Sequence, residues 1–282
     1  MTTPPDAMVD AHHHFWDPAR FAYRFLGDAS SPLNRAFLPA DLAPALAAEG
    51  VAKSVLVQAH PSPAETEWLL ALAEDTDFVA GVVGWVDLAA PELPSILDRL
   101  QRHSKFKGVR RPVHNEPEPG YLLRPEVLRG LRELATRDLP FDLLVHPRDL
   151  RIIPEVAEAV PDLRMALNHI GRPDIASGYV EPWGTHMLRI AAHDRVWCKL
   201  SGLVTADAET GWRVARLTPF VDRVVRLFGH GRLMFGSDWP VCTQATSYGE
   251  VVAAARQAMG PATAEQAERV FGGAATEFYH LA

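Results

Sequence analysis

Two histidines one residue apart, His12 and His14, lie in the short apolar run Val9-Asp10-Ala11-His12-His13-His14-Phe15-Trp16. On a β-strand alternate side chains share a face, so His12 and His14 point one way and His13 the other. Two imidazoles so placed at a strand end can grip one metal ion or one substrate oxygen. Two further apolar runs end in histidine: Phe141–His146 and Arg164–His169. Another, Leu233–Gly236, leads into Ser237-Asp238-Trp239-Pro240. Neutral imidazoles with one carboxylate suit Zn²⁺ or a similar divalent ion, which lowers the pKa of a bound water. Asp238 can be ligand, general base or both, and His169 can protonate a leaving alkoxide. Arg110, Arg111 and Lys199, which also end apolar runs, can hold an anionic product or a polarised carbonyl. A strand must emerge into water, so one polar residue at its end says little. Histidine or aspartate at four such ends is harder to obtain by accident.

These residues need elements to position them, and the chain supplies a regular alternation. Strand-like runs are Val9–His14, Ser54–Ala59, Val79–Val86, Phe106–Arg110, Phe141–His146, Arg164–His169, Val196–Leu200 and Leu233–Gly236. Helical spacing or caps mark Leu42–Glu49, Glu65–Asp75, Pro91–His103, Pro125–Arg137, Ile153–Val160, a segment around Met187, Leu217–Phe228, Ser247–Met259 and Ala264–Tyr279. Eight short apolar strands alternating with helices predict an α/β protein, a (β/α)8 TIM barrel filling one domain over 1–282. An open doubly wound sheet is the alternative, but its Gly-rich phosphate turn is missing. Barrel sites lie at the C-terminal strand ends. The predicted ends are His12 and His14, Gln58, Trp85, Arg110 and Arg111, His146, His169, Lys199 and Asp238. The long segment Asp17–Leu38 has the length of a lid or binding loop.

Composition narrows the classes. With 282 residues, 48% of them hydrophobic, the chain can bury a large core. A net charge of -7 without a basic cluster argues against nucleic acid. The two cysteines, Cys198 and Cys242, make no disulfide framework and fit a reducing cytoplasm. No basic-then-apolar leader and no apolar stretch near ~20 residues is present, so secretion and membrane insertion are not expected. GxGxxG, Walker A and CxxC patterns are absent.

The stretches DAHHHFWDP, VLVQA with the following AETEWLL, KGVRRPVHNEP, LLRPEVLRGL, FDLLVHP, NHIGRP, VWCKLSGL and LMFGSDWPVC together resemble the amidohydrolase superfamily, and within it the sugar-lactone hydrolase branch. They span nearly the whole chain. The set is highly specific; singly, only DAHxHFW and GSDWP are. The resemblance implies a barrel hydrolase in which His12 and His14 are the first-strand pair, His169 the histidine of the HxGxP loop and Asp238 the eighth-strand aspartate. It implies a metal held by His12 and His14 with His146 or Asp238, zinc being the natural choice, although relatives in this branch also work without metal. Binuclear relatives carry a bridging lysine or glutamate ending strand four. Arg110 stands there instead, so one ion per chain is the expected maximum. His146 replaces an arginine more usual in this branch.

The expected reaction is water attack on the carbonyl of a lactone, a small-molecule substrate of sugar-acid type, with Asp238 as base and His169 as acid. Gln58, Trp85, Arg110, Arg111, His114, Lys199, Trp16 and Trp239 are the expected substrate-binding residues. Each has a plainer reading. The tryptophans can simply pack, His114 sits in a polar loop, and Lys199 can point outward if Cys198 and Leu200 face inward. His13 and Cys242 receive no role. Two rival functions remain: a metal-dependent decarboxylase on the same barrel, and a barrel that only binds sugar acids.

Overall fold

In the computed structural model, residues 8–28, 30–113, 116 and 120–282 are described. Eight strands form one parallel sheet in chain order: β1 (Met8–His13), β2 (Val51–Val57), β3 (Val79–Gly84), β4 (Phe106–Pro112), β5 (Phe141–Leu144), β6 (Met165–Leu167), β7 (Val196–Leu200) and β8 (Leu233–Phe235). Helices follow the strands: α1 (Pro39–Glu49), α2 (Pro63–Glu74), α3 (Leu93–Leu100), α4 (Pro125–Thr136), α5 (Ile153–Ala159), α6 (Trp183–Ala191), α7 (Val214–Phe228) and α8 (Tyr248–Met259). The sheet curls until its ends meet. The Asp238 N–H donates to His12 O (2.8 Å) and the His14 N–H to Trp239 O (2.7 Å). This is a (β/α)8 TIM barrel, as the alternation of runs predicts.

The C-terminal segment is read from sequence as one helix but is built in three parts, α9 (Ala264–Glu268), a π turn (Arg269–Gly273) and α10 (Ala274–Tyr279). The wide turn lets α10 reach the N-terminal end of the barrel. There Phe278, Tyr279 and Leu281 pack with the interior side chains Val9, Ala11, Val55, Val57, Val83, Ala166, Trp197 and Met234. A larger core fills the shell between the outer strand faces and the helices.

Strand parity decides which polar residues face the barrel axis. In β4, Val109 belongs to the outer core and Arg110 turns inward. In β7, Val196, Cys198 and Leu200 pack outward and Trp197 packs inward. Lys199 therefore follows Trp197 into the barrel, against the outward reading. β1 departs from plain alternation. Val9 and Ala11 face inward, and simple parity would send His13 after them. A register shift between Asp10 and His13 lets His12 and His14 take the inner face instead. His13 turns outward, where Nε2 lies 2.8 Å from Ser54 Oγ.

Candidate active site

A cavity of about 1030 Å³ opens at the C-terminal ends of the strands, with His14, Gln58, Arg110, His169 and Asp238 in its wall. Loop residues Tyr23, Arg24 and Phe25 complete one side. The loop is anchored by Trp16, whose indole N–H donates to Leu33 O (3.1 Å) and Arg35 O (3.0 Å).

Asp238 sits just beyond β8 with φ 58°, a left-handed conformation uncommon for a side-chain-bearing residue. The two main-chain bonds that close the barrel hold it there. Gly236 is required beside it, because a Cβ at that position would lie 2.6 Å from His12 Cβ. Asp238 Oδ1 lies 3.4 Å from His14 Nε2 and 3.7 Å from His12 Nε2. His169 reaches the same space by a second left-handed turn, at φ 53°, after β6 has ended. Its ring stands 4.7 Å from that of His12. Ser201 Oγ accepts from the His169 N–H (3.3 Å) and lies 2.9 Å from His169 Nδ1. The serine hydroxyl proton is then free to donate to Nδ1, which places the ring proton on Nε2, toward the cavity.

Charge in this pocket is set by dehydration. Burial holds His12 and His14 well below the usual histidine value, and the cations Lys199 and Arg110 add to the effect. Burial brings His169 down to about 4. Asp238 is raised by burial, against the pull of His169 and Arg110. The histidines are thus neutral at pH 7, the state in which they ligate metals.

Do these residues fit a metal? The ring N–H of His14 donates from Nδ1 to Val57 O (2.7 Å), which leaves Nε2 as a lone-pair donor aimed at Asp238. A second imidazole nitrogen joins them, and one donor atom from each of His12, His14 and Asp238 lies within 4.8 Å of the others. Two imidazole nitrogens and a carboxylate oxygen so placed can share one cation. The trio is the one such group among the described residues, and it can hold a metal ion.

Below it lies a buried polar prop. Lys199 Nζ donates to Ala11 O (2.9 Å) and Asp142 Oδ2 (2.5 Å) and stands 3.3 Å from His12 Nδ1. Asp142 also accepts from Tyr279 Oη (2.6 Å) and Asn168 Nδ2 (3.2 Å). Arg110 approaches His12 from the other side, at 3.5 Å from Nε2, and donates to Gln58 O.

The expected residues are therefore sorted by the fold. His12, His14, His169, Asp238, Gln58 and Arg110 converge. His146 does not, and its expected place as a ligand is corrected: β5 ends at Leu144, and His146 is exposed and caps the following turn, with Nδ1 accepting from the Arg148 N–H (3.3 Å). Arg111 faces away by parity, paired with Glu116 (2.8 Å) and stacked on Tyr121 (4.5 Å). Trp85 is outside the cavity wall, with its main-chain N–H donating to Thr66 Oγ1 (2.8 Å). Trp16 and Trp239 are packing residues around Phe37. Lys199 lies beneath the cavity and supports His12 instead of lining the wall. His114 falls outside the described residues. Sequence reasoning passed over Tyr23, Arg172, Ser201 and Asp142. A charged residue inside the apolar run FDLLVH was the available signal for Asp142; Tyr23 and Ser201 carried none.

An eight-stranded parallel barrel with a buried His-His-Asp group at the C-terminal strand ends, able to hold a metal ion, has the form of a TIM-barrel hydrolase. More particularly, the chain belongs to the amidohydrolase family, whose model matches residues 9–281. It is 38% identical over 280 residues to an L-fucono-1,5-lactonase of Burkholderia ambifaria, covering 97% of this chain and 95% of that one. An L-fucono-1,5-lactonase of Burkholderia multivorans is 34% identical over 284 residues, covering 97% and 96%. A crystal structure of an amidohydrolase from Burkholderia multivorans with bound zinc is 33% identical and superposes with a TM-score of 0.93, covering 98% of this chain and 100% of that one.

Proposed function

We propose that this protein opens the ring of a sugar-acid lactone by water attack on the ester carbonyl. It is a lactone hydrolase. The observation that carries the chemistry is the Asp238 carboxylate, held 3.4 Å from His14 Nε2 in the wall of a large cavity. The L-fucono-1,5-lactonase relatives, matched over nearly the full chain, support the substrate class.

His12, His14 and Asp238 are the residues that would hold a single divalent ion, with zinc the natural occupant of two imidazoles and a carboxylate. Such an ion supplies Lewis acidity and a more acidic water. Asp238, raised by burial, takes the proton from the attacking water. The water oxygen bonds to the carbonyl carbon, and the tetrahedral oxyanion lies against the Arg110 side. As the ring C–O bond breaks, Asp238 returns the proton to the departing oxygen. His169, neutral because burial brings it to about 4, donates a hydrogen bond from Nε2 to that oxygen. In this reading His169 is a hydrogen-bond donor to the leaving oxygen and Asp238 carries the proton, whereas the sequence reading gave His169 the part of acid. The open-chain acid then loses its carboxyl proton to solvent.

Acid release equal to lactone consumed, on a panel of aldonolactones, is the expected result. Decarboxylation without acid release, or no turnover across aldono- and aromatic-derived lactones, contradicts the reading. Elemental analysis of chelator-free protein should find at most one divalent ion per chain, and His14→Ala should lose it.

A further inference from the structure

Asp10, on β1, is fully buried, and its carboxylate accepts four hydrogen bonds. Oδ1 accepts from the N–H groups of His12 (3.1 Å) and Ser237 (2.9 Å). Oδ2 accepts from Ser237 Oγ (2.6 Å) and Tyr248 Oη (3.1 Å). Ser237 Oγ in turn accepts from the Trp239 N–H (3.0 Å). An ionised carboxylate offers about four acceptor positions, so these donors fill it. The reaction steps do not use Asp10. Its bonds nonetheless reach His12 and, directly or through Ser237 Oγ, both chain neighbours of Asp238.

These bonds lie where the barrel is least paired. Each strand from β1 to β8 has a ladder with the next, but β8 and β1 share only the bridge between His13 and Trp239 among the described residues. β8 ends at Phe235, so the buried Ser237 N–H lies beyond the ladder. A buried N–H must be paired, and the Asp10 side chain supplies the acceptor. His12 lies inside the register shift of β1, and the same carboxylate takes its N–H. Pairing with β2 places the bulge; Asp10 joins it to the turn after β8. His12 and His14 reach the site from one side of this seam and Asp238 from the other. The separations of Asp238 Oδ1 from His14 Nε2 (3.4 Å) and His12 Nε2 (3.7 Å) are therefore distances across the seam.

We propose that Asp10 is a positioning residue of this site: through Ser237 and the His12 main chain, its carboxylate fixes the Asp238 carboxylate relative to the two imidazoles. It acts through the backbone of the groups it holds, and it is not a catalytic residue. A misplacement of about 1 Å at a reacting group costs about a hundredfold in rate. Arg110 and Gln58, in the cavity wall, are outside this network, so the seam governs turnover and leaves substrate binding nearly alone. Tyr248 reaches Asp10 from α8 and donates to it without bonding the bulge or the turn. This inference rests on the lactone-hydrolase reading for its rates, and on the geometry of the seam for everything else.

The test takes the full-length wild type, Ser237→Ala, Asp10→Asn, Asp10→Ala and Tyr248→Phe. It measures kcat and KM on the aldonolactone that the wild type opens fastest, with thermal midpoints and crystal structures of the same proteins. Ser237→Ala removes the 2.6 Å bond to Asp10 and strands the Trp239 N–H. It should lower kcat about 10- to 100-fold, with KM within about threefold of the wild type, and move Asp238 away from His14. Asp10→Ala, where it folds, should lose at least as much. Asp10→Asn keeps Oδ1 for the two main-chain N–H groups and turns its amide to two hydroxyls that can accept, so it should retain most of the rate. Tyr248→Phe loses a bond outside the seam and should lower the thermal midpoint but not kcat. Normal kcat in Ser237→Ala, equal loss of kcat in Ser237→Ala and Tyr248→Phe, or an Asp10→Asn protein as slow as Ser237→Ala overturns the positioning role. If the wild type opens no lactone, the reaction is wrong and the crystal structures judge the seam alone: a displaced Asp238 in Ser237→Ala upholds it, and an unmoved one overturns it.

Discussion

Asp238 carries three duties at one position: it faces two imidazoles, it sits in a left-handed backbone, and its main chain closes the barrel. Asp238→Asn keeps the shape and the backbone bonds but cannot accept a proton. Loss of a general base costs about 10²–10⁴-fold in rate. We therefore expect kcat to fall at least about a hundredfold on this ground, with a thermal midpoint near that of the wild type. Near-normal turnover in a folded variant would leave the mechanism without its base. The pH profile gives an independent reading. Activity needs the ionised carboxylate, and burial lifts its pKa above 3.8. The acid limb of kcat/KM should accordingly lie above the ordinary aspartate range, and a limb near 4 contradicts the assignment. Gly202 matters at the same scale. It has φ +62°, and a Cβ there would lie 2.8 Å from His169 Nδ1, so Gly202→Ala should displace the ring and lower kcat.

At the scale of elements, three separate parts meet under His12. β5 brings Asp142, β7 brings Lys199, and α10 brings Tyr279 from the far end of the chain. Removing one member of a buried ion pair strands the other and typically destabilises by about 3–5 kcal/mol, whereas replacing both together is often neutral. The paired variant Lys199→Met with Asp142→Asn separates stability from function. A purely structural pair would leave kcat unchanged in it. If the pair orients His12, the double variant should melt within a few degrees of the wild type, yet lose about 10- to 100-fold in activity or metal affinity, as outer partners of ligating histidines commonly do.

For the whole molecule, buried titratable groups couple folding to pH. His12, His13, His14 and His169 all have depressed values, His13 at about 3 and His169 at about 4. Below 6.5 the unfolded chain takes up protons at these four positions and the native state does not. Their contribution is complete above that pH and is lost as pH falls. Asp10, raised to about 6, Glu65, raised to about 7, and Asp238 act in the opposite sense, since the native state holds their protons longer. His60 and Asp138, whose values are also lowered, act with the four histidines, and this side is expected to lead. The thermal midpoint should drop between pH 6.5 and pH 4, and a midpoint that rises across this window contradicts the balance. Outside the site, no helix among the described residues is long and apolar enough to cross a membrane.

Much of this was written in one dimension. The eight apolar runs and their helices specify a barrel, because each run is too short to bury itself except beside another. The strand-end rule then finds His12, His14 and Asp238 without coordinates. What sequence could not decide is where each strand stops and which face each residue takes. His146 was assigned to the site on the assumption that β5 runs through FDLLVH to the histidine itself, but the strand ends two residues earlier, at Leu144, and the histidine turns to water. Arg110 and Arg111 are indistinguishable as letters, and only register points the first inward and the second into a surface ion pair. In β1 the inward turn of both histidines depends on a bulge, set by pairing with β2. His169 and Asp238 enter the cavity through left-handed turns that no periodicity announces. Lys199, Asp142 and Tyr279 are far apart in the chain, and their union follows from closing the sheet and folding α10 beneath it. Local pattern selects elements because burial has a period. The identity of a site depends on the small angular choices at the ends of those elements, and tertiary packing makes them.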